Sequence, residues 1–315
     1  MKVLEWNILA PEYFGYNPKT TYGLTELDHN KRLENIRKVI GRLAPDVVCL
    51  QEVTESWIEP LLKCGECEYS LAAVCFSQRK KWNIGTVVLV LKDSDIKYTK
   101  QRKKVKKYAY NSITLSYKGE NFYLTNGHYR WGNTTFESVR WIMEDIKKRY
   151  PSFYRHLVSK KSKAILCGDF NCSDINKELY FSCKEVHKET HDLCYVDFDA
   201  ALIPRYEYYL CKDYFGKMGF KNSKYSVKKW ETLYTTVKRK DRDHDHDDKI
   251  FIKNMDLSRL YYGDYISKLK KTSVLQQERG LLYIKYDNKK RSEWKAVLEK
   301  LTSDHRWIMA VFSLN

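Results

Sequence analysis

The sequence predicts an α/β protein, a four-layer α/β sandwich in which two packed mixed β-sheets are flanked by helices. Three observations carry that expectation. Short apolar runs of strand length recur along the chain, amphipathic stretches separate some of them, and neither an internal repeat nor a Pro/Gly-rich linker divides the 315 residues. An apolar share of 43% is enough to bury a substantial core, so disorder of the whole chain is excluded and one domain over 1–315 is expected.

The elements follow in order. Lys2 to Leu9 is strand-like, with Asn7 near its end. Leu33, Ile36, Val39, Ile40 and Leu43 recur at helical spacing, with Asp28 or Asn30 as N-cap and Pro45 as the stop. Asp46 to Gln51 then reads as a buried strand, which puts Glu52 at a strand end. Further runs of strand type lie at Ile84 to Leu91, Tyr108 to Tyr117, Asn121 to Asn126, Ala164 to Cys167, Lys249 to Lys253 and Arg306 to Ser313. Helices are expected near 133–150 and 292–300.

Charge and cysteine usage bound the setting. The excess of 57 Lys and Arg over 40 Asp and Glu gives +17, which suits a polyanionic partner, nucleic acid or a phosphoinositide surface. Nine cysteines without a secretory signal fit a reducing compartment, cytoplasm or nucleus, and no apolar stretch is long enough to span a bilayer. Cys64 and Cys67 could be half of a zinc site, but no second Cys-x-x-Cys or spaced His pair completes it. The basic run Lys100 to Lys107 reads either as a solvated loop or as a phosphate-tracking patch. Between Lys238 and Lys249, Asp241, Asp243, Asp245, Asp247 and Asp248 crowd around His244 and His246, a pattern of a surface loop more than of a chelate.

Five places carry chemistry. In Cys167-Gly168-Asp169-Phe170-Asn171 a strand delivers an acid and an amide two residues apart, so both reach one point beyond the strand end. There Asp169 can polarise a water and Asn171 can donate to a phosphoryl oxygen. Ser303-Asp304-His305 precedes the final strand, where acids can hold a histidine protonated against a phosphate. Glu52 ends a buried strand, where a carboxylate pairs with a cation or costs several kcal/mol of desolvation. Hard oxygen ligands of this kind select Mg²⁺. Asn7 and His128 each close a strand-like run, and each alone reads equally as a structural hydrogen-bonder.

Taken in order, Trp6-Asn7-Ile8-Leu9, Leu50-Gln51-Glu52-Val53, Asn126-Gly127-His128, Gly168-Asp169-Phe170-Asn171, Asp248-Lys249-Ile250-Phe251 and Ser303-Asp304-His305 resemble the endonuclease/exonuclease/phosphatase superfamily over residues 3 to 312. The resemblance implies Mg²⁺-dependent hydrolysis of a phosphodiester, with Mn²⁺ as a substitute ion. It implies metal ligation by Glu52, with Asn7 organising that carboxylate and Asp304 helping to hold the ion or its waters. Asp169 would orient or deprotonate the attacking water, Asn171 and His128 would stabilise the transition state, His305 would contact the scissile phosphate, and Asp248 would pair with His305, with Asp247 as the alternative. Two departures stand out. Gly127 occupies a position where the superfamily often has Thr or Ser, and the chain from Asp248 to Asp304 is long enough to hold an insert around 257–277.

The same core serves many substrates, so the flanking segments must choose. The Tyr-rich loop Pro11-Glu12-Tyr13-Phe14-Gly15-Tyr16 and the basic helix start Lys31-Arg32 resemble the RNA-directed branch of deadenylases and 2',5'-phosphodiesterases. The expectation is therefore an exoribonuclease or RNA phosphodiesterase acting on single-stranded RNA, with Tyr13, Phe14 and Arg140 against the substrate. The alternatives are a DNA-repair hydrolase for abasic sites or tyrosyl adducts, a phosphoinositide phosphatase, and a non-catalytic nucleic-acid-binding module.

Overall fold

The structure is a computed structural model that describes residues 1–14, 26–77, 84–101, 104–129, 135–170, 214, 216–222, 248–262, 275–278, 281–284 and 308–313. In chain order the elements are β1 (Lys2–Asn7), α1 (Glu26–Leu43), β2 (Val47–Thr54), α2 (Glu55–Leu61), β3 (Lys63–Cys64), β4 (Cys67–Ser77), β5 (Ile84–Leu91), β6 (Lys97–Tyr98), β7 (Lys104–Lys106), β8 (Tyr110–Tyr117), β9 (Glu120–His128), α3 (Thr135–Arg149), α4 (Pro151–Val158), β10 (Lys163–Asp169), β11 (Lys221–Asn222), β12 (Asp248–Lys253), β13 (Asp256–Tyr262), the hairpin β14 (Leu275–Glu278) and β15 (Leu281–Ile284), and β16 (Ile308–Ser313). Sheet one runs β13-β16-β1-β2-β5-β4-β3, with β7 also on β4, and sheet two runs β11-β12-β10-β9-β8-β6.

Alternation along the strands builds the layers. Val3, Val47, Cys49, Val88, Ile113, Leu124, Ile165, Cys167 and Ile250 meet between the sheets. Their neighbours one residue on point the other way. Leu4, Trp6, Val48 and Leu50 pack under Leu33, Ile36, Val39 and Ile40 of α1 and Trp57 of α2. Tyr123, Ala164 and Leu166 pack under Val139, Ile142, Met143 and Ile146 of α3 and Leu157 of α4. The helix–sheet–sheet–helix order is the expected sandwich.

Three local expectations change. The run Lys100 to Lys107 is not a solvated loop throughout: Lys104–Lys106 pairs with Cys75–Ser77, and Lys106 is buried. The start of the stretch 257–277 is edge strand of sheet one rather than loop or helix, because β13 pairs with β16. Cys64 and Cys67 face each other across the β3–β4 hairpin, with the Cys64 thiol buried and its pKa pushed up to about 12 by that burial. A buried thiol of this kind packs as a small apolar side chain. The helix expected near 292–300 and the acidic stretch 238–247 lie outside the described residues.

Candidate active site

Each sheet contains a parallel pair joined by a helical crossover, β1 beside β2 and β9 beside β10, and sheet one adds the short parallel pairing of β4 with β7. The crossovers are α1 in the first case and α3 with α4 in the second. In consequence the carboxyl ends of all four strands arrive at one end of the sandwich, the place where sheets of this kind leave room for a ligand. Asn7 ends β1, His128 ends β9 and Asp169 ends β10. Asp169 lies directly opposite His128 on one side and opposite Asp248 on the other.

Glu52 arrives by a different device. By alternation Val47, Cys49 and Gln51 face the other sheet, and Glu52 would face the helix layer. The β2–β5 register slips, however: Leu50 opposes Val87 and Val53 opposes Gly85, so β2 carries one extra residue across this gap. Glu52 sits in the bulge with φ 54°, a left-handed conformation disfavoured for a residue with a side chain. The bulge keeps Val53 on the helix side and frees Glu52 to turn toward the strand ends. A strained acid held at a strand end is where function is expected to store strain.

The resulting cluster is tight and largely buried. The Asn7 Nδ2 amide donates both to Glu52 Oε1 at 3.0 Å and to Asp169 Oδ2 at 2.9 Å. Asn7 is itself fixed, since its Oδ1 accepts the Leu9 N–H at 3.0 Å. The Ala10 N–H donates to Glu52 Oε2 at 3.3 Å. His128 Nε2 stands 3.6 Å from Glu52 Oε1 and 3.7 Å from Asp169 Oδ2. Asn7 is fully buried, Asp169 is 1% exposed and Glu52 8%. Glu52, His128 and Asp169 each offer one ligand atom within 4.8 Å of the others, a group able to hold a metal ion. Two carboxylates and an imidazole nitrogen converge here, a donor set that a divalent cation fits, because carboxylate oxygen is its preferred partner.

Two glycines make the close approach possible. Gly168 has φ 134°, and a Cβ there would lie 1.9 Å from the Gly127 carbonyl oxygen. A Cβ on Gly127 would meet the Tyr129 ring at 2.7 Å. That ring stacks on Phe170 at 4.3 Å, and the Tyr129 N–H donates to the Asp169 carbonyl at 2.9 Å. The unexpected Gly127 thus has a physical reason: it leaves room for an aromatic pair that binds the end of β9 to the end of β10.

Two supports were not anticipated. Asn126 reaches across the interior from sheet two, its Nδ2 donating to Leu50 O and Val87 O at 3.1 Å each, while its Oδ1 accepts Gln51 Nε2 at 2.6 Å. It thereby satisfies a carbonyl at the bulge that places Glu52. The signal was present in the sequence, as an amide at an interior-facing position of an apolar strand. Arg32, taken as part of a basic surface, is instead fully buried and its Nη2 donates to Ile8 O at 2.9 Å and Leu9 O at 2.7 Å. It braces the turn that leaves β1, where Leu9 has φ 55°.

Of the anticipated residues, Asn7, Glu52, His128 and Asp169 are brought together, and the backbone of Asp248 is placed beside Asp169. Arg140 is exposed on α3. Tyr13 and Phe14 belong to a short 3-10 turn, Pro11–Phe14, and their side chains lie outside the described residues, as does that of Asp248. Asn171, Asp304 and His305 lie outside them as well.

A family model, the Endonuclease/Exonuclease/phosphatase family, matches residues 4–305. No curated protein matches the sequence significantly. Among solved structures, D. rerio TDP2 complexed with single strand DNA product superposes with a TM-score of 0.53 at 14% identity, covering 100% of this chain and 99% of that one. A family protein from Leptotrichia buccalis C-1013-b gives 0.54 at 16% identity, with 100% of both chains covered. A functionally unknown conserved protein from Enterococcus faecalis V583 gives 0.54 at 13%, again over 100% of both. At these identities the likeness establishes the fold.

Proposed function

The chain belongs to the Endonuclease/Exonuclease/phosphatase family, and from that premise we propose that it is a Mg²⁺-dependent phosphodiester hydrolase of single-stranded RNA. The family covers nucleases and phosphatases, so metal-dependent hydrolysis of phosphoester bonds is its chemistry. The observation that carries the reading is the buried set of Asn7, Glu52, Asp169 and His128, two acids held by one amide at the convergence of four strand ends.

Glu52 would be the principal ligand of Mg²⁺ or Mn²⁺, held in aim by Asn7 and assisted by Asp304. The ion, when bound, supplies positive charge against the equatorial phosphoryl oxygens. Asp169, beside both Asn7 and His128, orients and deprotonates the water that attacks phosphorus. His128 and Asn171 donate to the oxygens that gain charge, and His305, paired with Asp248, contacts the scissile phosphate. No covalent intermediate is required, because the water that Asp169 orients serves as the nucleophile.

RNA is favoured by the Tyr-rich loop that leaves the site directly after Ala10, whose N–H holds Glu52, and which resembles the RNA-directed branch. Tyr13 and Phe14 would stack bases there and Arg140 would contact the backbone. Single-stranded DNA is the second reading, prompted by the D. rerio TDP2 complex with its DNA product. Incubation with end-labelled oligoribonucleotide and the matching DNA, with Mg²⁺ or with chelator, decides between them. Chelator-sensitive loss of RNA is expected, and cleavage of DNA with RNA left intact refutes the RNA assignment.

A further inference from the structure

The segment that leaves β6 and enters β7 is a strap between the two sheets. β6 pairs with β8 in sheet two and β7 with β4 in sheet one. Gln101 ties it to both, its backbone N–H donating to Ala72 O at 2.8 Å and its side-chain amide to Ser112 O. Between the strap and the first turn of α4 lies a cleft of about 650 Å³.

The cleft is cationic and aromatic. Lys100, Lys104 and His156 line it with Tyr150, Ser152 and Phe153, and no carboxylate is among its lining residues. Lys104 Nζ sits 4.4 Å from the Tyr150 ring centre, and burial lowers its pKa, so the ammonium is partly desolvated without an ion pair among the described residues. The His156 ring stacks on Tyr123 at 4.8 Å, its planes 7° apart, and the residue is exposed. Phe153 meets the same tyrosine edge-on at 5.6 Å. The helix begins at Pro151, and the N–H groups of Ser152 and Phe153 in its first turn have no acceptor within the helix.

The basic run also has a direction. β7 runs parallel to Cys75–Ser77, toward the end of sheet one where Val53 opposes Gly85. Beyond it comes exposed Lys107 and then Ala109, whose carbonyl accepts the His128 N–H at 3.0 Å. The backbone therefore runs from the cleft toward the rim of the acid cluster, with Lys106 turned inward to Asp145 and Lys107 exposed. Tyr123 and His128 are five residues apart on β9, roughly 17 Å along an extended strand.

We propose that this cleft is a second contact for the nucleic-acid strand, distant from the acid cluster: it holds one nucleotide, the phosphate between Lys100 and Lys104 at the start of α4 and the base against His156. Strands long enough to reach both places bind more tightly than strands that occupy the acid cluster alone. The inference rests on the reading of the substrate as single-stranded nucleic acid.

The test measures binding of a long single-stranded oligoribonucleotide in chelator, and hydrolysis of a dinucleotide with Mg²⁺, by the full chain and by Lys100→Gln/Lys104→Gln. The pair is expected to weaken binding about tenfold and to flatten the slope of log affinity against log salt by about 1.4, two single-strand phosphate contacts, with dinucleotide hydrolysis unchanged. His156→Ala is expected to weaken binding about fivefold with the slope unchanged, as loss of a stacking face should. Wild-type affinity and slope in the double variant overturn the proposal. So does a loss confined to phosphoinositide vesicles, which would assign the cleft to a membrane. A wild-type protein that neither binds nor cleaves RNA refutes the functional reading itself, whereas wild-type binding that the variants leave untouched refutes only the cleft.

Discussion

Among the described residues, buried acids lie both on α3 and at the strand ends, and the two places are built differently. Asp145, on α3, accepts Arg149 Nε at 2.6 Å on one oxygen and the Tyr110 hydroxyl at 2.6 Å on the other, with Lys106 Nζ at 3.3 Å. One anion thus meets two cations and a phenol. Burial works to raise its pKa, but the hydrogen bonds from Tyr110 and Arg149 and the Lys106 charge outweigh it and hold the carboxyl below its usual value. At the strand ends two acids meet: Glu52 and Asp169 both accept from the Asn7 amide, and His128 stands 3.6 and 3.7 Å away. The first cluster is a strut whose charges are settled within the fold. The second brings two buried carboxylates and a histidine to one point, an arrangement useful for holding a cation.

The comparison is broken most severely by removing one of the two strand-end acids. Glu52→Gln should lower turnover by about 10³-fold or more, because a metal ligand and its charge are lost, while leaving the thermal midpoint equal or higher. Steady-state hydrolysis alongside an unfolding curve measures both, and retained turnover sinks the assignment of Glu52. Asp145→Ala should do the opposite: it leaves Lys106 buried without its counter-charge, at about 3 kcal/mol of stability, while activity per folded molecule holds. Urea titration reads that loss, and a fall in turnover without one would mean that the strut is no strut.

A smaller effect tests how the site is held. Gly127→Ala forces the Tyr129 ring from its place on Phe170 and should cost about 1–3 kcal/mol, with reduced turnover because the ends carrying His128 and Asp169 shift. An unchanged midpoint would show that the stack gives way freely. The smallest effect is a pH dependence. Burial lowers the pKa of Lys106 to about 8, and that of Lys253 likewise to about 8. Both folded values lie below the unfolded one near 10.5, so the unfolded chain binds more protons above pH 8 and stability should rise with pH there. Above pH 9 the buried Cys64 thiol, with its raised pKa, works in the opposite sense. The gain is therefore expected between pH 8 and 9, and a urea midpoint that falls across that interval contradicts it.

The sequence exposed the strand ends better than the devices that aim them. Asn7, His128 and Asp169 were legible because each closes an apolar run, and alternation then fixes the face each side chain takes. Glu52 was legible as an acid at a strand end, yet the bulge and its φ of 54° were not, since a one-residue slip depends on the partner strand β5. Asn126 escaped notice because its role is to meet a carbonyl of the opposite sheet. Lys106 was hidden in a run of surface-type charge, and only its approach to Asp145 and Tyr110 explains its burial. The helix of Leu33 to Leu43 was plain from spacing, whereas the fate of Arg32 on it was not: a guanidinium that braces the chain near Leu9 looks, in sequence, like any basic residue.

The central claim is that the strand-end cluster is a cation site, and thermal unfolding with and without Mg²⁺ tests it directly. Wild-type protein at about 100-fold excess of Mg²⁺ over its dissociation constant should be stabilised by about 2.7 kcal/mol, and Glu52→Gln should lose most of that shift. Equal stabilisation of the two proteins, or none in the wild type, would contradict the account.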